Sequence, residues 1–83
     1  MKIRVEEEFN LEAAGYHDLH VIITVTWAGG SLTANTYILG WEGNFGRECV
    51  RSEVEEEAEY HKVSLPSWAG AEWEWIPWRG NSY

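Results

Sequence analysis

Cysteine is nearly missing from this chain: Cys49 is the only one in 83 residues, so no disulfide can form within the fold. That usage suits a reducing compartment, and the cytoplasm is the expected location. Cations are scarce as well. Six lysines and arginines face fourteen aspartates and glutamates, a formal net charge of −8. Such a surface repels phosphate backbones and anionic headgroups, so neither direct nucleic-acid binding nor membrane attachment is expected. Long apolar runs are missing too. Nothing approaches the ~18 consecutive apolar residues of a spanning helix. Met1 to Val5 lead into three glutamates rather than a signal-peptide core, so a soluble intracellular protein is expected. The chain also has no Gly-Lys-Ser/Thr phosphate cradle and no nucleophile with an evident base. The expectation is a non-enzymatic protein without cofactor or metal.

What the chain does have is aromatic mass, with six tryptophans, four tyrosines and two phenylalanines. At this length one domain, residues 1–83, buries roughly 60–65% of its unfolded surface, near the limit for a single core. A tryptophan can bury about 150–250 Å², worth roughly 4–6 kcal/mol as an upper bound. The tryptophans can therefore replace covalent staples or form half of a subunit interface.

The segment from Leu19 to Trp41 organises the fold. Two β-branched runs flank Ala28-Gly29-Gly30, a hairpin connector in which glycine can take positive φ. Leu19, Val21, Ile23, Val25 and Trp27 share one face of the first strand. Leu32, Ala34, Thr36 and Ile38 share one face of the second. Residues 2–9 alternate as a further strand, with Ile3, Val5 and Phe9 inward and Glu7 breaking the apolar side, which places it near a sheet edge. Asn10 to Gly15 can form one helical turn or a loop. Residues 40–46 carry three glycines and lead either into a helix or into a short strand, Phe45 to Val50.

Over 48–62 a helix is expected. Val50, Val54, Ala58 and His61 fall within about 80° of arc at ~100° per residue. Ser52 and Glu55 have capping-box spacing if the helix begins late, and Pro66 disfavours helix at Leu65. Residues 67–83 hold four of the six tryptophans, and Trp73 and Trp75 alternate with glutamates in a final strand, 71–76, that Pro77 ends or places at an edge. The expected class is α+β: an antiparallel sheet of three to five strands, with one main helix, about 48–62, packed on one face.

Two features are candidates for function. The first is the acidic run Glu53, Glu55, Glu56, Glu57 and Glu59, with Glu48 upstream. Carboxylates one turn apart on a helix lie about 6 Å apart along the axis. Phosphates step by about 3.4 Å along a duplex, a density within a factor of two. A solvated helix face explains the run without function; a docking surface for a basic protein is the sharper reading. The second is the aromatic end, Trp73, Trp75 and Trp78, which can be core, a partner-binding patch or a homodimer seam. The expected partner-binding residues are accordingly Glu48, Glu53, Glu55, Glu56, Glu59, Trp73, Trp75 and Trp78.

His17, His20, Cys49 and His61 are zinc-ligand types, but their spacing is poor. Cys49 and His61 on one continuous helix would stand about 18 Å apart in height, and His61 reads better as a core-edge residue. In size and charge alone, the chain is similar to small acidic inhibitors such as the DNA-mimicking and anti-CRISPR proteins of mobile elements. That likeness rests on no motif. It implies occlusion of a basic, nucleic-acid-binding protein partner; the alternative is an assembly protein that self-associates through its tryptophans.

Overall fold

The computed structural model describes residues 1–10, 18–39 and 46–77. In chain order the elements are β1 (Lys2–Asn10), β2 (Asp18–Trp27), β3 (Gly30–Leu39), α1 (Arg47–Tyr60) and β4 (Glu72–Ile76). The strands form one sheet in the order β3-β2-β1-β4, with α1 against it: an α+β fold. β1 and β3 both pair antiparallel with β2, whereas β4 runs parallel to β1. The sheet is thus mixed rather than wholly antiparallel. A strand–helix–strand path carries the chain across the sheet and returns it in the starting direction, which is the usual route to a parallel pair.

Period-two patterning builds the core. Ile3 and Val5 of β1, Val21, Ile23 and Val25 of β2, and Leu32 and Ala34 of β3 are buried on one face. Register keeps them in rows: Val5 lies opposite Ile23, which lies opposite Ala34. From above, α1 adds Val50, Val54 and Ala58. The helix lies over β3 and, less closely, β2. Val63, Leu65, Trp68, Ala71, Trp73 and Trp75 pack against this core without being fully buried.

β1 does lie near a sheet edge, next to the edge strand β4, whose ladder covers Lys2 to Glu6 and stops short of Glu7. Glu7, which interrupts the inward pattern of β1, accepts a hydrogen bond from the indole Nε1–H of Trp75 on β4. The polar break is therefore a partnered position just past the end of the β1–β4 ladder. Several local expectations are corrected. In the β2–β3 turn Trp27 pairs with Gly30 around Ala28 and Gly29, and neither glycine adopts a left-handed φ. These glycines instead leave room for the Trp27 ring, since a Cβ on Gly29 would lie 3.3 Å from its Nε1.

The helix starts at Arg47, so the short strand Phe45–Val50 does not form, although residues 40–45 themselves lie outside the described residues. Gly46 is the N-cap and no side chain caps it; with the start this early, Ser52 and Glu55 sit mid-helix and make no capping box. At the other end the helix stops before Pro66 can act. Lys62 turns left-handed at φ 56°, and the amides of Lys62 and Val63 bond back to the carbonyls of Glu59 and Ala58. That is a Schellman closure with lysine where glycine is usual. His61 becomes the C-cap and is exposed, not part of the apolar stripe. Asn10 ends β1 rather than capping a turn, and residues 11–17 lie outside the described set.

Candidate interaction surface

Because Val50, Val54 and Ala58 point into the sheet, the rest of α1 faces away from it. Glu48, Glu55, Glu56 and Glu59 are exposed, while Glu53 and Glu57 are half-buried at the helix flank. At about 100° per residue, Arg51, Glu48, Glu55 and Glu59 fall on one flank of the buried stripe; Glu53, Glu57 and Tyr60 fall on the other.

The first flank meets the tryptophans. The Arg51 guanidinium lies 5.3 Å from the Trp68 ring centre, and the Arg47 guanidinium 4.9 Å from that of Trp73. Trp68 and Trp73 stand 6.0 Å apart, centre to centre. Arg51 Nε also donates to Glu55 Oε1 at 2.9 Å. Below them an open groove is lined by Glu55, Ala58, Glu59, Val63, Leu65, Pro66 and Trp68. This flank therefore faces the β1–β4 half of the sheet, and the second flank faces the outer edge of β3.

Charge along α1 is arranged against the helix dipole. Glu48 in the first turn is favourably placed, but Glu57 and Glu59 stand in the last turn, where no basic residue occurs. Glu55 and Glu59 are an i,i+4 like-charge pair, as are Glu53 and Glu57, which is mildly destabilising. Two contacts offset part of this locally: Arg51 pairs with Glu55, and His61 Nε2 lies 2.9 Å from Glu57 Oε1.

Trp73 and Trp75 project from β4 to the helix side of the sheet, in register with Ile3 and Val5. Both are half-buried, while their neighbours Glu72 and Glu74 are exposed on the opposite side. Trp78 lies outside the described residues. The glutamates and the tryptophans are thus separate parts of one side of the molecule, joined through Arg47, Arg51 and Trp68. None of those three was singled out from sequence as a link between the two. The signal was available, because Arg47 and Arg51 are an i,i+4 pair and must share a helix flank.

The opposite face of the sheet is polar and lacks a covering element among the described residues. Arg4 Nε lies 3.2 Å from Glu6 and 3.5 Å from Glu74. His20 Nε2 lies 3.1 Å from Asn35 Oδ1, and its ring stacks on Tyr37 at 4.7 Å. His20 on this face is remote in the fold from Cys49 and His61 on α1, and His17 lies outside the described residues. Among the described residues no group of three or more histidines, cysteines or acids could hold a metal, and no helix is long and apolar enough to cross a membrane.

Comparison with protein-family models, with curated proteins and with solved structures finds no match for the chain.

Proposed function

We propose that this is a small acidic binding protein, not an enzyme, that occludes a basic surface on a protein partner, in particular a nucleic-acid-binding one. The observation that carries the reading is the placement of charge on α1. Glu55, Glu56 and Glu59 are exposed; Glu59 stands at the negative end of the helix dipole and repels both of the others. Such crowding lowers stability, and retaining it is the trade expected where function needs the charges. Their spacing approaches that of a polyanion, so a cleft built for phosphates can accept the helix. The mode would be that of the DNA-mimicking and anti-CRISPR inhibitors that the chain is similar to in size and charge.

Immobilised protein should capture basic, nucleic-acid-binding proteins from a cell extract at low salt and release them as salt rises. Replacing Glu55, Glu56 and Glu59 together by lysine should abolish capture. Equal capture by the triple variant removes the reading. The alternative, self-association through the tryptophans, draws less support. Trp73 and Trp75 are already packed against the core from β4.

A further inference from the structure

The two edges of the sheet are built differently. β4 is five residues long, carries exposed Glu72 and Glu74 on the face away from α1 and is followed by Pro77. These are standard protections against unwanted strand pairing. β3 has none of them. It is ten residues long, GSLTANTYIL, with no charged residue and no proline. Its register with β2 is unbroken from Gly30 to Leu39, so no bulge twists the edge away. Among the described residues nothing pairs with its outer side. In a chain of net charge −8, a ten-residue neutral edge is the most conspicuous exception to the surface pattern.

We propose that the outer edge of β3 is a docking strand for an extended, lysine- or arginine-bearing segment of the partner protein. That segment adds to the sheet beside β3 and below the acidic flank of α1. This rests on the proposed function and specifies how the basic partner is held. Main-chain hydrogen bonds from the edge supply affinity, and side chains alternate between the two faces of the added strand. Those on the inner face lie about 4.8 Å farther out than the β3 row. There they pass under the flank that carries Glu53 and Glu57, within reach of a long cationic side chain.

The same glutamates select the occupant. Were a second copy to pair edge to edge about a twofold axis, the two helices would bring Glu53 and Glu57 of each chain toward one another. The flank thus opposes self-pairing and favours a basic strand.

The test uses the whole chain, labelled with nitrogen-15, and two synthetic probes: the peptide Lys-Val-Lys-Val-Lys-Val-Lys-Val and its counterpart with glutamate in place of lysine. The lysine peptide should slow hydrogen exchange at alternate amides of β3, and the glutamate peptide should not. Glu53→Lys with Glu57→Lys should weaken binding at least tenfold while leaving the thermal transition in place. Peptide shifts confined to the outward face of α1, with β3 exchange unchanged, would overturn the docking strand yet leave the acidic binding reading standing. No binding of the lysine peptide anywhere would sink both. Protection of β3 that grows with protein concentration and needs no peptide would also overturn the proposal, by naming a second copy as the occupant.

Discussion

Glu59 stands next to last in α1, so its carboxylate faces the negative end of the helix dipole. Glu59→Gln keeps the shape and removes the charge. Relief of the dipole interaction is worth about 0.3–1 kcal/mol at low ionic strength. Two like-charge neighbours are relieved as well, Glu55 at i−4 and Glu56 at i−3, at about 0.2–0.5 kcal/mol each. Because Arg51 already holds Glu55 at 2.9 Å, the lower end applies to that pair. The sum is roughly 1 kcal/mol, which in a domain of this size raises Tm by about 4–8 °C. Thermal unfolding followed by circular dichroism in ~10 mM salt should show the gain. In 1 M salt, with a screening length near 3 Å, most of it should vanish. An unchanged or lower Tm at low salt would refute the reasoning, and so would a gain that survives high salt. Either result would also remove the stability cost from which a binding role for these carboxylates is inferred.

Trp75→Phe removes the N–H that bonds Glu7 and leaves that carboxylate without this donor, so it should lose roughly 1–2 kcal/mol in urea unfolding. Adding Glu7→Val to the same chain should recover much of the loss, and a neutral Trp75→Phe would show that the contact does not contribute. Lys62→Gly should stabilise by about 0.5–1 kcal/mol, because Lys62 is held at φ 56° where a side chain is strained. A destabilised glycine variant would mean that the lysine side chain has a compensating role.

Much of the fold could be read from patterning alone, and the failures have physical causes. Alternation in 19–27 and 32–38 put Val21, Ile23, Val25, Leu32 and Ala34 on the core side, where they are found. The stripe Val50, Val54, Ala58 placed the helix and its buried face, because a 3.6-residue period leaves no other arc so apolar. What was misread depended on partners far away in sequence. Glu7 looked like a plain break in the apolar side because its donor, Trp75, arrives 68 residues later. Gly29 and Gly30 suggested a left-handed turn, whereas their role is to clear space for Trp27.

The parallel seam could have been anticipated, since a helix between two strands commonly returns the second parallel to the first. Of the proposed binding residues, the outward glutamates were legible from helical spacing. The inward facing of Trp73 and Trp75 was not, because an alternating strand does not say which of its sides meets the core. The neutral edge of β3 went unnoticed because strand order is a property of topology and composition alone does not give it.

The pairing of residue 2 with residue 72 has a kinetic side. β1, β2 and β3 are joined by short connections and can zip together early, whereas the β1–β4 seam closes nearly the whole chain and carries the larger entropic cost of a long loop. That seam is also the shortest ladder in the sheet, five residues long. It is therefore the place where the native state should breathe first. An opening there would release Trp73 and Trp75 into solvent while the hairpin and the helix above it stay folded.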